Sequence, residues 1–237
     1  GVWATKKGST LAYNDEDGNF KPLPFTYTGA GKGTRVNKEG LIEVVENDRP
    51  RIDYTDSEDG VLLLEPSSTN RMTTSEPTSG GNGFVYNPRT WDNGLSNGFT
   101  ANDASGGAPK YYYMAQGIAN EHSAFSFYIE MADGSEPTIG SSSDVNADLS
   151  VMVKSYFLSE SDVIKTNTIN NIWKIQGTSL PQSLSGTGQI GVLKYSAHSN
   201  KTFYATGFQI EQGSYATSYI PTQGSATTRV QETASGS

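Results

Sequence analysis

Turn-forming residues interrupt this chain so often that long amphipathic helical patterns are hard to find. Of 237 residues 26 are glycine, Ser, Thr and Asn recur every few positions, and tyrosine is plentiful at 13. This is the composition of short strands joined by many turns. The segment from Gly207 to Thr222 shows the pattern in miniature. Phe208 and Ile210 alternate with Gln209 and Glu211, Gly213 supplies a turn, and the β-favouring run Tyr215 to Ile220 ends at Pro221, which has no N–H to give to a sheet ladder. The length suffices for a continuous core, as one large all-β domain or two small ones, and a single domain is the expectation.

Charge and composition remove several classes of function. A formal charge of −8 and a pI near 4.8 oppose a nucleic-acid groove, which needs clustered Lys and Arg to displace counterions from phosphates, so no nucleic-acid partner is expected. The acidity reads as solubility. With no cysteine there is no disulfide framework, thiolate chemistry or Cys-ligated zinc. No apolar run approaches the roughly 18 residues of a membrane span, so no membrane insertion is expected, and the N-terminus lacks a basic-then-apolar signal pattern.

Strands are expected at Ser9 to Tyr13, Leu41 to Val45, Pro50 to Tyr54 and Val61 to Glu65, the last three as a meander or hairpin pair. Lys21 to Tyr27 reads as extended, and its two prolines forbid a central strand position. Ser67 to Pro109 is irregular, with Gly80-Gly81, Asn93-Gly94, Asn97-Gly98 and Gly106-Gly107 marking turns around islands such as Phe84-Val85-Tyr86. Long ordered loops are where binding tends to sit. Further strands are expected at Tyr111 to Ala115, Ala124 to Met131, Leu149 to Leu158, Ile172 to Gln176, Gln189 to Tyr195 and Thr202 to Ile210, at a spacing that suits two antiparallel sheets packed face to face.

Two blocks carry a family resemblance. One is Thr34-Arg35-Val36-Asn37-Lys38-Glu39-Gly40-Leu41-Ile42-Glu43 with Arg49-Pro50-Arg51-Ile52-Asp53-Tyr54, Leu62-Leu63-Leu64-Glu65-Pro66 and Ser68-Thr69-Asn70. The other is the Gly207 to Thr222 segment followed by Thr228-Arg229. In this order they resemble the opening and closing blocks of concanavalin A-like, jelly-roll carbohydrate-binding modules in bacteriophage tail and virion structural proteins, especially of Bacteroidetes phages. The resemblance implies an all-β, two-sheet antiparallel β-sandwich, display on a virion surface, contact with bacterial surface glycans, and no catalytic machinery. It also implies other virion chains as partners, with a homotrimer as one arrangement. The expected organisation is a lead-in at 1–33 within the same domain, the sandwich at 34–229, and a linker or tail at 230–237 that suggests a segment of a longer polypeptide. Two alternatives stay open: a binding module of a secreted, extracellular polysaccharide-degrading enzyme, and a purely structural virion domain.

Candidate sites follow from residue chemistry. A sugar site asks for an exposed aromatic face flanked by planar polar groups. Tyr86, Arg89, Trp91, Asp92 and Asn93 meet that description, with a buried Trp91 under a long loop as the competing reading. Trp173 sits in a strand pattern and reads as core. Consecutive Tyr111, Tyr112 and Tyr113 must point to both faces of a strand, so at least one ring lines a surface or interface, and Tyr111 and Tyr113 join the sugar-site candidates. Asp144-Val145-Asn146-Ala147-Asp148 has calcium-loop spacing, but Leu149 stands where the loop needs Gly and Ser155 where it needs Glu, which rejects the helix-loop-helix form. A structural calcium held elsewhere, with Asp15, Asp17, Asp56 and Asp59 as weak candidates, competes with plain solvated acidic turns, and no cofactor is required. The two histidines, His122 and His198, read as surface residues, and no Gly-x-Ser-x-Gly elbow accompanies them.

Overall fold

A computed structural model describes residues 3–5, 10–14, 17–29, 31–102, 109–118, 123–154, 156–178 and 188–236. The described residues carry β1 (Trp3–Thr5), β2 (Thr10–Asn14), β3 (Phe20–Thr28), β4 (Gly33–Val36), β5 (Ile42–Val45), β6 (Arg51–Asp53) and β7 (Val61–Leu63). Next come β8 (Ser68–Asn70), β9 (Val85–Tyr86), β10 (Phe99–Ala101), β11 (Lys110–Ile118), β12 (Ser123–Met131), β13 (Ser150–Val153) and β14 (Tyr156–Phe157). The chain closes with β15 (Val163–Ile169), β16 (Ile172–Thr178), β17 (Gly188–Lys194), β18 (Phe203–Gln212), β19 (Thr227–Arg229) and β20 (Thr233–Gly236). Every strand-to-strand pairing with a defined register is antiparallel. The protein is all-β, and among the described residues no helix is long and apolar enough to cross a membrane.

The strands fall into two compact units. The first gathers residues 1–69, 217–220 and 227–237; the second holds 70–216 and 221–226. In the second, one sheet runs β15-β16-β12-β18-β10-β9 and the other β11-β17-β13-β14. Their apolar faces meet in one core. Phe125, Phe127 and Ile129 of β12 and Phe203, Ala205, Phe208 and Ile210 of β18 cluster with Val151 and Val153 of β13 and Ile190 and Val192 of β17. Alternate apolar residues of the two sheets thus face one another across the core, which makes a β-sandwich. Rings add direction: Phe208 lies 5.3 Å from Phe99, 5.8 Å from Phe127 and 4.7 Å from Tyr112.

Gly207 explains why β18 bends. Its φ of +63° is left-handed, and the β12–β18 register slips between Ser126/Gln209 and Tyr128/Thr206, so two residues face Phe127. A Cβ at 207 would sit 2.6 Å from Tyr128 and 2.8 Å from Leu95. Only glycine fits both conditions. The polar residues of the Gly207 segment are buried too: Gln209 and Glu211 lie out of solvent, and the Gln209 amide donates to the Glu211 carboxylate at 2.7 Å.

Some expected strands changed. Leu149 to Leu158 divides into β13 and β14, with Lys154 at φ +59° between them. β15 was missed; it forms a hairpin with β16 through Asn170 and Asn171, both at positive φ, the geometry of a tight primed turn. The run Tyr215 to Ile220 forms no strand and bends at Tyr215 and Ser218.

The first unit holds the sheet β1-β2-β3-β20 and the pairs β4-β5, β6-β7 and β8-β19. Here β3 is an inner strand despite its prolines. The reason is register: β20 covers only Phe25 to Thr28, whereas Pro22 faces β2 alone and Pro24 falls where the β2 register jumps from Thr26 to Pro22. The tail expected at 230–237 contributes β20 to this sheet.

Among the residues whose side chains are described, the first unit buries few apolar ones, Tyr27, Ile52, Tyr219 and Ile220. Its centre is a buried ion network. Arg51, 1% exposed, donates through Nε to Glu232 Oε1 at 2.5 Å, through Nη2 to Glu232 Oε2 and, at 2.6 Å, to Glu65 Oε2, and through Nη1 to the Thr34 carbonyl and the Ser218 hydroxyl, both at 2.6 Å. Arg229, equally buried, donates to Pro66 O and Ser218 Oγ and pairs with Glu65 at 2.9 Å. Tyr27 Oη donates to Glu232 Oε1 at 2.6 Å. Two cations and two anions balance, and the forked guanidinium geometry satisfies both carboxylates. Burial pushes Glu65 upward, but Arg229, the Ser218 hydroxyl and Arg51 outweigh it and hold the carboxyl below 4.5. Burial, then the Glu232 carboxylate, drives the Tyr27 phenol well above its ordinary range.

Candidate functional site

On β11, alternation sends Tyr112 inward and its neighbours outward. Tyr112 packs 5.2 Å from Phe99, and burial raises its phenol to about 12. Tyr111 and Tyr113 lie side by side on the other face, half-exposed, with ring centroids 4.5 Å apart and planes tilted 33°. Opposite Tyr113 in the ladder stands Gly191 of β17. A Cβ at that position would lie 2.7 Å from the Tyr113 ring, so the glycine lets the ring lie flat across the strand. Burial, then the Tyr111 phenol, raises the Tyr113 phenol.

The aromatic face continues past β17. Tyr195, just after the strand, is half-exposed, stands edge-on to Phe157 at 5.7 Å, and feels the Tyr113 phenol as a second influence after burial on its own raised pKa. Tyr111, Tyr113, Tyr195 and Phe157 thus give the four-stranded sheet an outer face of partly exposed rings. Sequence reading found the first two. Tyr195 sat at the end of a recognised strand, and Gly191 inside one, but the cross-strand neighbours that give them meaning are set by register.

A buried polar turn seats Tyr195. His198, expected on the surface, is 4% exposed. Its Nδ1 accepts the Tyr195 N–H at 3.2 Å, which leaves Nε2 to carry the proton toward the Ser141 carbonyl at 3.1 Å and the Ser150 hydroxyl at 3.2 Å. Burial depresses its pKa below 6.5, with the Lys194 ammonium adding to the depression and the Ser141 carbonyl, Asp144 and Asp148 opposing it. Lys194 Nζ donates to the carbonyls of Asp148 and Ser199, both at 3.0 Å. His122 lies outside the described residues.

The residues expected to grip sugar around Trp91 are placed differently. Trp91 is 2% exposed, with Nε1 donating to the Asn97 carbonyl at 2.6 Å. The Arg89 guanidinium lies 4.6 Å from the Trp91 ring and 4.8 Å from Tyr204, and pairs with Glu130 at 2.6 Å. Asn93 is fully buried and its Oδ1 accepts the Leu95 N–H. Trp91 and Asn93 therefore present no face to a ligand: Trp91 is the plug, and Arg89 the staple, of the loop from Asn87 to Gly98. Tyr86 is half-exposed and donates to Asn97 Oδ1 at 2.9 Å, while exposed Asp92 accepts from Asn170 at 2.8 Å. Neither lies in the Tyr111–Tyr113 pair. Trp173 is partly buried against the core.

The acidic candidates do not converge. Asp17, Asp56 and Asp59 are exposed, and Asp15 lies outside the described residues. Asp148 is committed to the Thr138 N–H and the Ser199 hydroxyl, and Asp144 to the Asn146 N–H. Among the described residues no group of three or more His, Asp or Glu side chains is arranged to hold a metal ion.

No known family model matches this chain, and no curated protein matches it.

Proposed function

We propose that this chain is a noncatalytic module of a virion surface, in a tail or head fibre or decoration protein, that attaches to bacterial surface polysaccharide through the outer face of the β11-β17-β13-β14 sheet. The observation that carries this reading is the Tyr111–Tyr113 pair laid flat opposite Gly191. Half-exposed phenol rings offer what the apolar side of a pyranose needs, and their hydroxyls supply donors and acceptors at the edge. The virion setting and the jelly-roll connectivity rest on the resemblance of the Thr34–Asn70 and Gly207–Arg229 blocks. Weak single contacts would be offset by effective concentration across copies, a homotrimer being one arrangement that supplies them.

The test is a glycan array of capsular and wall polysaccharides, followed by titration of the best binder. Tyr113→Ala is expected to weaken binding about tenfold, the ~1.4 kcal/mol scale of one aromatic contact, with thermal stability little changed. Binding is expected to survive EDTA, since the proposed contact uses no metal. A second reading, a purely structural virion domain, draws on Trp91 and Arg89, which spend the longest irregular region on covering a sheet. An array without a single binder would favour it over the glycan reading.

A further inference from the structure

The first unit contains an open cleft of about 310 Å³ lined by Arg35, Asn37, Lys38, Glu39, Glu43, Ile52 and Tyr54. β4 and β6, from two separate two-stranded pairs, both contribute to it. Between β4 and β6 the Tyr54 N–H reaches the Val36 carbonyl at 3.0 Å, but the Val36 N–H goes to the Asp53 carboxylate at 2.7 Å instead of a carbonyl. Asp53 is 7% exposed and its other oxygen takes the Thr55 N–H at 2.9 Å, so the side chain is built into the backbone at the cleft's edge. The walls are fixed as well. Arg35 Nε donates to Glu43 Oε1 at 2.5 Å, and Asn37 Oδ1 accepts the N–H groups of Glu39 and Leu41 at 3.0 and 2.9 Å.

One wall is aromatic. Gly60, at φ +74°, lies so close that a Cβ there would come within 2.9 Å of the Tyr54 ring and 2.6 Å of Ile52. The ring is braced against backbone, and Ile52, 3% exposed, closes the floor. The charged lining sums to zero, Arg35 and Lys38 against Glu39 and Glu43, so the cleft selects neither an anion nor a cation. Arg35 and Lys38 supply donors, and Glu39 and Glu43 acceptors, beside a braced ring. That mixture matches hydroxyl groups, which both give and accept, arranged around a body with an apolar face. The volume stands at the lower end of small-molecule pockets, roughly 300 to 1,000 Å³, and suits a single monosaccharide unit.

We infer that this cleft is a binding site for one residue of a neutral saccharide. It is separate from the tyrosine face of the other unit and does not depend on that face binding anything. The experiment uses the full chain and millimolar neutral methyl glycosides of glucose, galactose, mannose and N-acetylglucosamine as probes. Binding is read by saturation-transfer NMR and by amide shifts in ¹⁵N-labelled protein. The expected result is that at least one glycoside moves amides among residues 35–43 and 52–54, that this persists in Tyr113→Ala, and that Tyr54→Ala weakens it at least fivefold. Lys38→Ala, on the exposed rim, serves as the variant that leaves the fold alone, with an expected loss of about twofold. The inference is overturned if no glycoside moves those amides, if Tyr113→Ala abolishes the effect, or if glucuronic acid or glucosamine binds tenfold better than every neutral probe. Loss of array binding in Tyr113→Ala with cleft shifts intact would sustain both sites; cleft shifts with no array binder would sustain this one alone.

Discussion

The two units solve the same problem, holding strands together, with opposite chemistry. The second buries Phe125, Phe127, Phe203 and Phe208 between two sheets, a non-directional contact that tolerates imprecise partners. The first buries Arg51, Arg229, Glu65 and Glu232, where the cost of desolvation is met only because nearly every oxygen and N–H has a partner. An apolar core weakens in proportion to what is removed from it. A charged one fails when a single member is lost.

The sharpest way to break the comparison is Arg51→Met. It takes from Glu232 its guanidinium partner and leaves Glu65 to Arg229, and is expected to destabilise the first unit by about 3–5 kcal/mol. Amide exchange should accelerate in β4 to β7 while β12 and β18 keep their protection. Adding Glu232→Leu should recover part of the loss, because a neutral pair leaves no stranded charge. A single-variant cost under about 1 kcal/mol in urea denaturation would mean that the network is not what holds this unit.

Gly191→Ala probes the second unit with a smaller effect. The new methyl collides with the Tyr113 ring at 2.7 Å and with the Tyr112 carbonyl at 3.0 Å. Overpacking of this kind costs about 1–3 kcal/mol. Under the proposed glycan contact, binding is expected to fall together with stability here, whereas Tyr113→Ala is expected to lower binding alone; equal behaviour of the two variants would detach the glycine from the tyrosine face.

Acid gives the mildest contrast and separates the units by pH window. His198 is depressed below 6.5 when folded, so the unfolded chain takes up the proton more readily. Its contribution to the second unit is complete above pH 6.5 and is lost as the pH falls from there toward the folded value. Glu65 is depressed below 4.5, so its contribution to the first unit is complete above that value and fades only as the pH falls below it. The second unit should therefore soften first. Denaturation midpoints across pH 7 to 3 check this, and His198→Gln should remove the earlier phase while leaving the later one.

Much of the fold was legible because strand periodicity is local. The runs at Ala124 to Met131, Gln189 to Tyr195 and Thr202 to Ile210 coincide with β12, β17 and β18. β15 escaped notice although Ile169-Asn170-Asn171-Ile172 carried a readable signal, paired asparagines between two apolar runs. The site was half legible. Tyr111 and Tyr113 follow from period 2, but Trp91 does not: the same loop composition suits an exposed ring and a plug, and the difference lies in Arg89 reaching Glu130 and Tyr204, distant in sequence.

By itself the sequence determined an all-β chain, the positions of its main strands, and that the Tyr111–Tyr113 run sends rings to both faces of a strand, because backbone preference and side-chain alternation act over a few residues. Tertiary structure alone decided which polar groups are buried. Tyr27 meets Glu232 across 205 positions, Arg51 meets it across 181, and the chain comes back at Thr217 to Ile220 to complete the same network. No local pattern encodes such pairings, since a charge is stabilised by whatever opposite charge the fold brings to it and by the exclusion of water around both.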